Sequence, residues 1–301
     1  MSLVERALKK IQESRAGVSP RIEHGAPFAP AADASAAAAE HVVLHAETPK
    51  VTVPKRVLHV DRDALRASRV LPPLEQERAL ANEYREIKRP LLAQALGRTG
   101  GTAVPNGQLI MMASALPGDG KTFTCVNLAF SMALETDIAV LLVDGDVAKP
   151  HISELLGVRS EPGLMDVLRD ESVSLDSVIL PTDIPGLSVL PAGKQSDTAT
   201  ELLASARMEH VLRQMTARDP NCIVLLDSPP LLLTSESRVL ASIAGQIVLV
   251  VRANETPQQA VLDVLDLLDE GKSVGLVLNQ THENARAGYY EYYGQPKPKQ
   301  D

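Results

Sequence analysis

Five stretches of this 301-residue chain combine residue types and spacings that could do chemistry. In the first, SALPGDGKTF, Ala115–x4–Gly120–Lys121–Thr122 has phosphate-loop spacing, with Ala in place of the usual first Gly. Gly118 and Gly120 would let the backbone curl so that its N–H groups converge on an anion. Pro117, Gly118, Asp119, Gly120, Lys121, Thr122 and Phe123 are therefore the candidate nucleotide contacts. Lys121 would reach the β- and γ-phosphates, and Thr122 would ligate Mg²⁺. The second stretch, VLLVDGDVAKP, sets Asp144 and Asp146 two residues apart, suited to Mg²⁺ ligation and proton acceptance. The third, IVLLDSPP, places Asp227 after an apolar run, where a carboxylate holds Mg²⁺ directly or through its ligands. The fourth ends VGLVL at Asn279, a candidate for reaching a nucleotide base. The fifth is the cluster Tyr289, Tyr290, Tyr292 and Tyr293, which leaves Tyr84 as the only other tyrosine.

Strands and helices must bring these stretches together. Apolar runs at 108–115, 138–143, 187–190, 222–226, 246–251 and 274–278 read as strands. Helix-like segments at 121–135, 199–218, 235–243 and 257–270 lie between most of them. Strands that are apolar at nearly every position are covered on both faces, so the expected fold is α/β, a doubly wound, mostly parallel sheet. Its carboxyl edge is the binding edge, and the first three stretches all end there. Together they predict ATP or GTP binding, with the reaction still open.

The rest of the chain reads as attachments. Residues 1–15 form an amphipathic docking helix, with a Ser2/Glu5 capping box and Leu3, Val4, Ala7, Leu8 and Ile11 on one face. Residues 16–72, which include APFAPAADASAAAAE, read as a largely disordered Ala/Pro-rich linker. The domain spans 73–280 and opens with a helix over 74–96, where Leu80, Tyr84, Ile87 and Leu91 share a face and Pro90 should kink or interrupt it. Residues 281–301 form a flexible tail reaching roughly 5–6 Å × √n. A net charge of −8 argues against broad binding to nucleic acid. Cys125 and Cys222 sit in apolar runs as buried free thiols, fitting a reducing cytoplasm. No apolar run approaches a membrane span of ~18–20 residues.

The chain resembles the bacterial tyrosine kinases, in the branch associated with exosortase-linked exopolysaccharide loci. The resemblance rests on Pro117–Thr122, Asp144/Asp146, Asp227–Pro230 and Tyr289–Tyr293 in order, with SLVERALKKIQ and EYREIKRPLL flanking them. It covers about residues 73–295 and the first helix. Three departures from the pattern stand out. Ala148 stands where an Arg is usual, Asn82, Arg85 and Lys88 replace the ExxRxxR ring-assembly helix, and no membrane domain is visible on the chain.

The resemblance implies a P-loop fold of the partition/septum-positioning ATPase type and autophosphorylation of the tail tyrosines with ATP and Mg²⁺. Lys121, Asp144 and Asp146 would be catalytic, and Thr122, Asp146 and Asp227 would hold the metal. It also implies a cytoplasmic location at the inner face of the membrane and a role in exopolysaccharide synthesis, chain length or export. The implied partners are a membrane polysaccharide co-polymerase as activator, a ring of its own copies, and a protein-tyrosine phosphatase. A partition-type switch ATPase or a nucleotide-dependent scaffold is the alternative. Leu116 holds the place of that ATPase group's signature Lys, which counts against it.

Overall fold

The computed structural model describes residues 56–97 and 103–281. The expected N-terminal helix, most of the linker and the tyrosine tail lie outside the described residues. Seven strands form one sheet in the order β3–β4–β2–β5–β1–β6–β7. They span Leu109–Ser114 (β1), Ala139–Asp144 (β2), Leu180–Pro181 (β3), Leu187–Leu190 (β4), Cys222–Asp227 (β5), Gln246–Arg252 (β6) and Ser273–Asn279 (β7). Every pairing is parallel except that of the two-residue β3 with β4.

Side-chain alternation splits the core into two layers. Leu109, Met111 and Ala113 of β1 pack on one face with Leu164, Met208, Val211, Leu240 and Val264. Ile110 and Met112 pack on the other with Leu65, Tyr84, Leu91, Leu128 and Ile152. All six residues of β1 and of β5 are buried, so neither strand carries a polar/apolar alternation. Cys125 and Cys222 are buried free thiols, and burial raises the pKa of both.

The helices are α1 Arg62–Ala67, α2 Glu77–Leu96, α3 Lys121–Ala133, α4 His151–Leu155, α5 Leu164–Arg169, α6 Leu175–Val178, α7 Ala199–Leu203, α8 Ala206–Ala217, α9 Ser235–Ile243 and α10 Gln258–Leu267. The helix expected over 199–218 is two. Ser205 caps α8 by accepting from the amide of Met208, which forces a break after α7. Pro90 does not end α2. It is exposed, so the Glu86 carbonyl that loses its amide partner is left on the solvent side.

Residues 58–71, expected within the linker, are folded against the domain. Leu58 bridges Thr182 beside β3, Asp61 caps α1 through the amides of Asp63 and Ala64, and Leu65 is 1% exposed. Burying one such leucine contributes about 1.5–3 kcal/mol, enough to hold a segment that is otherwise charged and Pro-bearing.

α3 is buried along eight of its positions because it lies between the sheet and α2. Lys88 of α2, 5% exposed, fixes its far end. Its ammonium donates to the Ser131 carbonyl and to Glu135, both at 2.6 Å. A cation there also meets the negative end of the α3 dipole. Lys88 is one of the three positions that match the family's ring-assembly motif, and here it is engaged within its own chain. Arg85 and Asn82 remain on the surface, bonded to each other at 2.7 Å.

Lys88→Met should therefore lower stability by about 1.5–3 kcal/mol, the range for hydrogen bonds to a charged group. Denaturant unfolding measures this. No change would mean that Lys88 does not anchor α3.

Candidate functional site

The turn from β1 into α3 is built by two left-handed glycines. Gly118 has φ 86° with open space around its Cβ position, and Gly120 has φ 92° and precedes α3. Asp119 is a structural member of this loop. Its carboxylate accepts from the Leu116 amide at 3.2 Å and from the Thr256 hydroxyl at 2.7 Å. Asn279, the candidate for reaching a base, packs under the loop and donates to the Asp119 carbonyl at 2.9 Å. A Cβ on Gly120 would sit 1.9 Å from the Asn279 amide nitrogen, so both conformation and space demand glycine there. Pro117 and Gly118 are exposed, and Phe123 is half-buried.

Lys121 and Thr122 begin α3 and turn toward β5. The Lys121 ammonium lies 3.0 Å from one oxygen of Asp227, and the Thr122 hydroxyl donates to the other at 2.7 Å. Asp227 is 1% exposed. Burial works against the Lys121 charge, yet Asp227 and then Asp146 outweigh it and raise the lysine pKa.

Asp144 ends β2 directly beside Asp227, its register partner on β5. Gly145 makes this approach possible: its amide donates to the Asp227 carbonyl at 2.8 Å, and a Cβ would come within 2.7 Å of that oxygen. Asp144 is fully buried. One of its oxygens accepts from the amide and the hydroxyl of Ser153 at 2.8 and 2.7 Å, and the other is buried with no partner among the described residues. Burial pushes its pKa up to about 7, against the pull of those two bonds. Asp146 is 8% exposed and accepts from the Lys149 amide at 3.1 Å. Burial raises its pKa too, with Lys121 opposing.

The structure thus gathers Lys121, Thr122, Asp144, Asp146 and Asp227 at one edge of the sheet. Among the described residues, no three carboxylate, imidazole or thiol side chains converge as a metal cage. The donor set still suits Mg²⁺, which needs only one or two carboxylates and takes the rest of its octahedron from water and phosphate. Thr122 and Asp227 supply two hard oxygens 2.7 Å apart. Asp144 adds a buried oxygen in want of a partner.

Two contributors escaped sequence reading. Ser153 sits nine residues beyond Asp144 in α4, and Thr256 lies just before α10. Hydroxyl residues are common in turns, and only the fold reveals which carboxylate each one meets.

The AAA domain family profile matches residues 107–279. The chain is 31% identical over 197 residues to the tyrosine-protein kinase Wzc of Salmonella typhimurium, covering 64% of this chain and 27% of that protein. It is 29% identical over 185 residues to the tyrosine-protein kinase YwqD of Bacillus subtilis, covering 60% of this chain and 76% of that protein. It spans about a quarter of the length of the first curated relatives it matches. The kinase domain of the Escherichia coli tyrosine kinase ETK superposes with a TM-score of 0.57 at 26% identity, over 67% of this chain and 77% of that one.

Replacing Lys121 with Met would strand the Asp227 charge in the interior. It should cost about 3–5 kcal/mol, and adding Asp227→Asn should recover at least half of that. Denaturant unfolding of the two single variants and the double variant measures the coupling.

The buried acid makes a separate prediction. Asp144 holds its proton to about pH 7 when folded. Unfolded, it does so only to about 4. Its contribution is therefore full below about pH 4 and is lost as pH rises through about 7, by up to about 1.4 kcal/mol per unit. Asp144→Asn should flatten that slope in nucleotide-free protein unfolded at pH 5, 6, 7 and 8.

Proposed function

We propose, from the premise that the chain belongs to the AAA domain family, that it is an ATP-dependent protein-tyrosine autokinase whose acceptors are Tyr289, Tyr290, Tyr292 and Tyr293. One observation carries the reading. Asp144 is a carboxyl group with proton affinity near neutrality and an unpartnered oxygen, held beside the Lys121–Asp227–Thr122 cluster. A phenol has a pKa near 10, so its attack needs a nearby base whose affinity lies close to working pH.

The loop amides around Gly118 and Gly120 would cradle the phosphates of ATP. Mg²⁺, when bound, supplies charge neutralisation at the β- and γ-oxygens. Thr122 and Asp227 would hold it, with Asp146 placed to bond its waters. Asp144 accepts the phenol proton as the tyrosine oxygen bonds to the γ-phosphorus. The bond from that phosphorus to the β,γ-bridging oxygen breaks, and ADP leaves. Lys121 stabilises the charge on the transferring group, and its release from Asp227 as Mg²⁺ arrives would free it to do so.

The wider setting is also part of the proposal. It has the chain acting at the cytoplasmic face of the membrane in control of exopolysaccharide synthesis, chain length or export. A co-polymerase in the membrane would activate it, neighbouring copies would exchange tails, and a phosphatase would reset them. Each phosphate adds about −1.5 to −2 charge, which would drive a modified tail out of an acidic site. Among the described residues no helix is long and apolar enough to cross a membrane.

Full-length chain incubated with Mg·ATP should carry phosphotyrosine within 289–293 by mass spectrometry. Tyr84, 5% exposed, should stay unmodified. Asp144→Asn should fold and lose about 10²-fold or more in rate. ATP hydrolysis with a blank tail, even beside the co-polymerase's cytoplasmic segment, would leave the partition-type ATPase as the reading.

A further inference from the structure

Among the described residues, β7 is the outermost strand at one end of the sheet and pairs only with β6. Its sequence, SVGLVLN, contains no charge and no proline, the usual devices that protect a sheet edge. None of its residues is fully buried, and Leu278 is 54% exposed. A groove of about 360 Å³ runs between this strand and α2, lined by Ile87, Pro90, Leu91, Val274, Gly275 and Val277. Ser273 and Val277 face the α2 side, where Ser273 meets Gln94 and Val277 packs against the Tyr84–Leu91 layer. By alternation Gly275 faces it too, and no atom lies within 4 Å of where its Cβ would be. Among the described residues the strand therefore has no pairing partner along one side, and it lacks a side chain over an apolar trough.

We propose that the chain's own C-terminal segment docks on β7 as an added antiparallel strand, with tail tyrosines filling the Gly275 gap. Position and length argue for this occupant. The tail leaves from the end of β7 itself, and residues 282–301 follow the described part. A loop at 280–287, entered through the left-handed Gln280, would set Gly288 opposite Asn279. Tyr290 then falls opposite Val277 and Tyr292 opposite Gly275, both on the α2 side. A loop one residue longer or shorter puts Tyr289 and Tyr293 on that side instead. In either register two phenol rings lie on the trough, the pairing by which an aromatic covers a strand glycine. YYEYY has strong strand propensity, and Pro296 and Pro298 stand beyond it, where the added strand would stop. Because the segment is tethered at the site, docking needs little intrinsic affinity.

Docking does not depend on catalysis, but its regulation rests on the kinase reading. A phosphorylated tyrosine brings about −1.5 to −2 charge to an apolar groove with Glu86 on its rim, so modification would expel the strand. The unmodified tail would be stored away from the nucleotide site, and the modified tail would be free.

Hydrogen exchange of dephosphorylated, nucleotide-free protein tests this. We expect the β7 amides at 273–278 to exchange at least tenfold faster in a chain ending at Thr281 than in the full chain, with β6 and β1 unchanged. Gly275→Leu, which has room for its side chain, should reproduce that loss in the full chain. Equal exchange in the full and truncated chains would overturn the proposal. So would protection that appears only as concentration rises, which would assign the edge to a second copy. Phosphotyrosine mapping is a separate readout, so failure here leaves the kinase reading standing.

Discussion

The contact on which the site depends is the ammonium–carboxylate pair of Lys121 and Asp227, buried at the carboxyl edge of the sheet. Three carboxylates and one ammonium share this nearly dry volume. Such a set is unfavourable unless charge is removed or neutralised. The chain does both. Lys121 offsets Asp227, and Asp144 keeps its proton to about neutrality. The remaining excess of negative charge is what makes the place receptive to a divalent cation. The same shortage of positive charge that makes the empty cluster costly makes the filled one favourable.

That pair can form because α3 is held rigidly at both ends. At its start, two left-handed glycines and the Asp119–Thr256 bond fix the loop. At its end, Lys88 fastens it to α2. The segment before α2 contributes as well, since the Val70 carbonyl takes a bond from Asn127 in the middle of α3. Residues just before the sheet, which look like linker by composition, thus brace the helix that carries Lys121. Lys88 is thereby bonded within its own chain, while Asn82 and Arg85 are exposed on the same helix.

Legibility in the sequence followed physical rules. The six longer strands were readable because burial on both faces leaves uninterrupted apolar runs. The loop from Pro117 to Thr122, and Asp144, Asp146 and Asp227, were readable because spacing and strand ends placed them on one edge. The helices α4, α5 and α6 were not, since four to six residues hold too little of a 3.6-residue period to register. β3 has two residues and no pattern at all. The ordered stretch around α1 was hidden by composition, because its few buried side chains, such as Val60 and Leu65, stand among Arg, Asp and Ser. Asn279 lies at the expected edge, and its bond to the loop was not legible in the sequence. Its side chain is short enough to reach either the loop or a ligand, and the left-handed turn at Gly120 brings the loop to it.

The burial of Tyr84 has a spectroscopic consequence. The chain has no tryptophan, so its intrinsic ultraviolet emission comes from five phenols alone. One of them is sealed between α2 and α3 at 5% exposure, and the other four lie beyond Thr281. Addition of phosphate to a phenol changes its absorption and quenches its emission, whereas a phenol in the core reports only on whether that core is intact. The fluorescence of the unlabelled chain therefore separates into a constant packing signal and a variable terminal one, a built-in optical reporter requiring no dye.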